Sequence, residues 1–80
     1  MTEFPAFRKY KNNSSWFRVN SLDSFDEIKK VGEKYYLFHF EVKILPDRNF
    51  IDDILNKYEQ HWDVITENDF EYALKQVRPA

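Results

Sequence analysis

The run from Lys34 to Ile44, Lys-Tyr-Tyr-Leu-Phe-His-Phe-Glu-Val-Lys-Ile, constrains this chain more than any other segment. Tyr36, Phe38, Phe40, Val42 and Ile44 place an apolar side chain at every second position. A repeat of two is the repeat of a strand, whose successive side chains point to opposite faces, whereas a helix would scatter the same residues round its axis. The run therefore predicts a strand with its apolar even-numbered face turned to the core. Tyr35, Leu37, His39 and Glu41 form a mixed odd-numbered face. So strong an apolar row predicts a central place in a sheet.

Shorter signals surround this strand. Residues 6–11 and 15–20 predict a hairpin about Asn12, Asn13 and Ser14, with Phe17 and Val19 facing inward. Ser24 followed by Glu27 forms a capping box, Lys29 and Lys30 suit a helix end, and Gly32 suits a left-handed cap. These residues predict a short helix with Phe25 and Ile28 as its inward pair. Pro46 is expected to end the long strand, and Asp47 or Asn49 to cap a helix carrying Phe50, Ile51, Ile54, Leu55 and Tyr58 on one stripe. Residues 61–65 predict a last strand with Trp62 and Val64 inward. Thr66 then caps a third helix with Phe70, Ala73, Leu74 and Val77 on one face, closed by Pro79.

The expected order is β-β-α-β-α-β-α, an α+β fold with a small mixed sheet of about four strands and its helices packed mainly on one face. A right-handed crossover makes residues 35–44 and 61–65 parallel if they share the sheet. With 80 residues the chain is expected to be a single domain, 1–80, with a flexible N-terminus over 1–5 and a frayed C-terminus over 78–80. So small a domain has a thin stability margin, and eight Phe, five Tyr and two Trp supply the apolar burial it needs. The absence of Cys excludes disulfides, a thiolate nucleophile and thiolate metal ligands. No apolar run reaches the roughly 18 residues of a membrane span, and no secretory signal is visible, so the expected location is the cytoplasm. Abundant Lys, Asn, Ile, Phe and Tyr are compatible with an AT-rich genome, which hints at a bacterium or its phage.

A net charge of -2 argues against a protein whose main task is holding duplex nucleic acid. The charge is uneven: residues 1–20 hold four basic side chains against one acidic, and the remainder hold eight against thirteen. If the helices roof one face, the odd-numbered row stays open, with Trp16 and Arg18 on the same side. Trp16, Arg18, Tyr35, Leu37 and His39 are then the candidate partner-binding residues, for another protein or a second copy of the chain. A bland alternative folds Phe4, Pro5 and Phe7 across that face. The second functional reading is a single-stranded nucleic-acid platform of Arg8, Lys9, Tyr10, Lys11, Trp16 and Arg18, where bases stack on rings and cations track phosphates. A weaker pattern, His39 and Glu41 with His61 and Asp63, supplies four metal-ligating side chains if the two strands are adjacent. The paired carboxylates are explained by helix caps and solvated faces, no nucleophile motif is visible, and neither enzyme activity nor a cofactor is expected.

Overall fold

The computed structural model describes residues 4–42, 45–56 and 58–77. Expectations for residues 1–3, for Ile44 and for Pro79 and the chain end lie outside the described residues. Four strands come first: β1 (Ala6–Tyr10), β2 (Ser15–Ser21), β3 (Ser24–Val31) and β4 (Lys34–Glu41). Helix α1 (Leu45–Asn56), a 3₁₀ turn over Tyr58–Gln60, strand β5 (Trp62–Val64) and helix α2 (Glu67–Leu74) complete the order. The strands form one five-stranded sheet in the order β4-β3-β2-β1-β5, antiparallel at every junction. The class is α+β, as expected, but the sheet is larger than predicted and is antiparallel rather than mixed.

Tight turns fix the registers. Between β1 and β2, Asn13 takes φ 60°, its N–H donates to the Tyr10 carbonyl at 2.9 Å, and Asn12 Oδ1 accepts from the Ser14 N–H at 3.1 Å. Asn adopts this left-handed conformation more readily than most residues, which is why the predicted turn holds. Between β3 and β4 only Gly32 and Glu33 intervene, and Gly32 has φ 62°. Glycine at the first position of a two-residue loop suits a hairpin whose twist matches its strands.

The expected helix over 24–31 is therefore a strand. Phe25 and Ile28 are three residues apart, which places them on one side of a helix but on opposite sides of a strand. In the sheet Phe25 packs under α1 and Ile28 under α2. Both are buried because the sheet is covered from both sides, which corrects the expectation that helices lie mainly on one face. On the α1 face Ala6, Phe17, Val19, Phe25, Val42 and Trp62 pack with Ile51, Ile54 and Leu55. On the α2 face Ile28 packs with Phe70 and Ala73, ringed by half-buried Phe7, Trp16, Tyr35, Ile65, Leu74 and Val77. Aromatic contacts knit the α1 side: Phe17 meets the Tyr10 ring edge-on at 5.1 Å and Phe50 at 6.0 Å.

Two further expectations change. Pro46 lies within the first turn of α1 rather than before it, a position that tolerates proline because the first helical N–H groups have no intrahelical acceptor. Strand β4 is an edge, not the centre. It points the same way as β5, but three strands lie between them, so α1 carries the chain from one margin of the sheet to the other. Thr66 caps α2 as expected: its hydroxyl accepts from the Asp69 N–H at 3.2 Å, and Asp69 accepts from the Thr66 N–H at 3.1 Å. Among the described residues no helix is long and apolar enough to cross a membrane.

A candidate docking edge

The registers place Trp16, Arg18, Tyr35, Leu37 and His39 on one face, as the alternation requires. That face is the one α2 crosses. Trp16 and Tyr35 are half-buried there, ring centroids 5.6 Å apart, and both pack against the core beneath α2. The Arg18 guanidinium lies 5.1 Å from the centre of the Phe70 ring. Helix α2 thus covers much of the expected open surface and leaves its β4 margin, Leu37 and His39, exposed.

Arg18 and His39 serve a buried carboxylate. Asp26 accepts from Arg18 Nε at 3.1 Å and Nη2 at 2.9 Å and from Asn20 Nδ2 at 2.9 Å, and its other oxygen lies 2.6 Å from His39 Nδ1. A bulge in β2 between Val19 and Ser21 accompanies the placement of Asn20 in this cluster. Burial alone would raise the Asp26 pKa, but hydrogen bonds from Asn20, His39 and Arg18 together outweigh it and hold the carboxyl below its ordinary 3.8.

Asp26→Asn is expected to cost about 2 kcal/mol at pH 7, the scale of hydrogen bonds to a charged group. The folded pKa lies below the unfolded one, so the contribution is complete above the ordinary value of 3.8 and is lost as pH falls through the folded value. Urea midpoints at neutral and acid pH should therefore show the parent losing more stability than Asp26→Asn as pH falls below about 4. Parallel losses would mean that Asp26 is not the group responsible.

The basic and aromatic residues near the N-terminus do not share a face. Arg8 and Tyr10 lie on the α1 side, Lys9, Trp16 and Arg18 on the α2 side. Arg8 donates to the Phe7 carbonyl at 2.8 Å and to the Ile54 carbonyl of α1 at 3.3 Å. Tyr10 stacks on Trp62 at 5.6 Å, and burial raises its phenol pKa, with Glu27 adding to the shift. Lys9 and Lys11 pair with Asp63 at 3.2 and 2.9 Å, and those hydrogen bonds hold the Asp63 carboxyl below its ordinary value. The rings and cations of a nucleic-acid platform are thus divided between two faces and engaged within the fold.

The four metal-ligating candidates are not brought together. His39 and Glu41 lie on β4, His61 and Asp63 at β5, and the four strand spacings between those margins amount to about 19 Å. Among the described residues no group of three His, Asp or Glu side chains is placed to hold a metal ion.

What the alternation did not reveal is the state of β4. Its even row was expected to be core, yet Tyr36, Phe38 and Phe40 are 45, 44 and 40% exposed, and Leu37 on the other face is 45% exposed. Only Val42, at the end of the row, is buried among the described members. Between this row and Phe50 of α1 lies a cleft of ≈ 260 Å³ lined by Phe25, Glu27, Phe40, Glu41, Val42 and Phe50.

Among the described residues the backbone of this edge is open beyond Tyr35. A two-residue loop makes Val31 and Lys34 the hydrogen-bonded pair that closes the hairpin, and such pairs recur at every second position. Even-numbered residues of β4 therefore bond to β3, and the bond from the Val42 N–H to the Asp23 carbonyl at 2.6 Å continues the series. Odd-numbered residues direct N–H and C=O outward. Tyr35 bridges Val77 there, and among the described residues nothing pairs with Leu37, His39 or Glu41.

Fold and site together define an α+β domain whose antiparallel sheet lies between two helices and ends in a long apolar edge strand. Comparison with protein-family models, curated proteins and solved structures gave no match.

Proposed function

We propose that the protein is a non-catalytic docking module that binds an extended protein strand along the outer edge of β4. One observation carries this reading: among the described residues an eight-residue edge strand leaves its backbone unpaired at Leu37, His39 and Glu41 and exposes Tyr36, Phe38 and Phe40 on one face and Leu37 on the other. Sheet edges are ordinarily blunted by short strands, charges, bulges or proline. The opposite edge follows that rule, since β5 has three residues with Asp63 at its centre. Strand β4 carries its charges at its two ends and apolar or aromatic residues and His39 between them. Strand addition would satisfy the outward backbone groups and bury Tyr36, Leu37, Phe38 and Phe40 in one step.

Of the residues expected to bind a partner, Leu37 and His39 stay in this reading. Trp16, Arg18 and Tyr35 support the strand from beneath α2. The reading is tested by panning a library of extended peptides against the chain and against Leu37→Pro. Proline at Leu37 removes an outward N–H and no bond to β3, so the fold should survive. Peptides that bind the parent and lose at least about tenfold in affinity for Leu37→Pro are expected. Peptides indifferent to the substitution, or recovery of no peptide by a chain that stays monomeric, would overturn the reading.

A further inference from the structure

We infer that the occupant of the β4 edge is the β4 edge of a second copy, paired antiparallel about a two-fold axis through His39 to give a continuous ten-stranded sheet. The inference rests on the docking reading above and adds the partner and the register.

A two-fold axis normal to a sheet keeps each face on its own side, so even-numbered residues meet even-numbered residues and the axis passes through a residue. Val77 occupies the edge beside Tyr35. An axis through Phe38 would bring Glu41 of the second copy to that place. An axis through His39 brings no described residue of β4 to that place: His39 meets its own counterpart, Phe38 meets Phe40, Leu37 meets Glu41 and Tyr36 meets Val42.

The charges agree with this arrangement. Lys30 lies on the α2 face with its ammonium 5.7 Å from the Tyr35 ring centre. Glu41 of the second copy, opposite Leu37, is the diagonal neighbour of Tyr35 and so approaches that ammonium, while His39 lies on its other diagonal. Each copy thus offers a margin of net positive charge, Lys29, Lys30 and Lys34 against Glu33, and an acidic one at Glu27 and Glu41, and only the antiparallel arrangement sets unlike margins together. On the α1 face Tyr36, Phe38 and Phe40 of both copies form one aromatic band with no charge to oppose itself. Tyr36 of one copy reaches the mouth of the other's cleft, which Phe40 and Val42 line.

The chain has no Cys, so a single introduced thiol reports on the axis directly. Residues facing each other as a hydrogen-bonded antiparallel pair have Cα atoms about 5.5 Å apart, within disulfide reach. Sedimentation equilibrium of the full chain is expected to show a monomer–dimer equilibrium that Leu37→Pro shifts to monomer. Under mild oxidation His39→Cys should cross-link at least about tenfold faster than Leu37→Cys, whose counterpart lies four residues further along the partner strand. Glu41→Lys should weaken the dimer, and adding Lys30→Glu should restore part of it.

A chain that stays monomeric at every concentration overturns the inference. So does a dimer in which His39→Cys cross-links no faster than Leu37→Cys. A monomer whose Leu37, His39 and Glu41 amides resist hydrogen exchange would assign the edge to the chain itself and also overturn it. If the monomer still selects extended peptides sensitive to Leu37→Pro, the docking edge stands and only the second copy fails. Failure of both measurements removes the edge as a binding site.

Discussion

Phe17→Ala is expected to leave the protein largely unfolded in dilute buffer. Phe17 is fully buried on β2, the middle strand of the sheet, where its ring meets Tyr10, Phe25 and Phe50 at centroid distances of 5.1, 6.3 and 6.0 Å. Truncating such a ring removes its transfer energy and opens a cavity that packed neighbours cannot close, a loss of about 3 to 5 kcal/mol. A chain of 80 residues has in total roughly 4 to 12 kcal/mol to lose. Phe38→Ala removes the same atoms from a site that is 44% exposed, and about 1 kcal/mol is expected. Urea unfolding of the two variants measures the difference. A comparable loss in both would show that the even row of β4 is core and that the exposed edge does not exist.

The contrast between these two phenylalanines shows where the sequence is legible and where it is not. Alternation correctly assigns Phe38 to a strand and to the same face as Tyr36 and Phe40, because side-chain direction is a local property of the backbone. Whether anything covers that face is not local. It depends on the placement of α1, whose Ile51, Ile54 and Leu55 pack with Ala6, Phe17, Val19, Phe25, Val42 and Trp62 while Tyr36, Phe38 and Phe40 stay 45, 44 and 40% exposed. The strand with the clearest apolar row therefore looks central and is an edge. The segment 24–31 fails for a related reason. Its capping box and its glycine are real local signals, yet Gly32 with φ 62° serves a helix cap and a hairpin loop equally well. An isolated eight-residue helix is marginal, whereas the same residues between β2 and β4 complete two ladders. Thr66 and Asp69 offer a signal of the same spacing, and there the reciprocal bonds do form at the start of α2, so the box alone does not decide between helix and strand. The exposure of Leu37 and His39 is no more local than the cover over Trp16 and Tyr35, since both depend on how far α2 reaches across that face. The cover over Trp16 and Tyr35 comes from Phe70 and Val77, a contact of long sequence separation that no local pattern encodes.

That cover is also where the second large effect is expected. Phe70 is the fully buried anchor of α2, with its ring 5.8 Å from Phe7 and beneath the Arg18 guanidinium at 5.1 Å. Helix α2 has eight residues, too few to persist in water without the sheet. Phe70→Ala should therefore cost about 3 to 5 kcal/mol, as for other buried phenylalanines, and the loss should begin with detachment of the helix. Detachment would wet Ile28, Trp16 and Tyr35 together, turning the α2 face into the open aromatic surface that the sequence alone suggests. It would also strip Arg18 of its ring and loosen the Asp26 cluster, so the losses from Phe70→Ala and Asp26→Asn should be less than additive in a double-mutant cycle. Limited proteolysis provides the local readout: new cleavage between Thr66 and Val77 should precede cleavage within β1–β3. Cleavage at both places at the same rate would instead make the two faces one cooperative unit, with no separable roof over Trp16 and Tyr35. A loss below about 1 kcal/mol would mean that α2 adds little to the fold and that the face it crosses is effectively open.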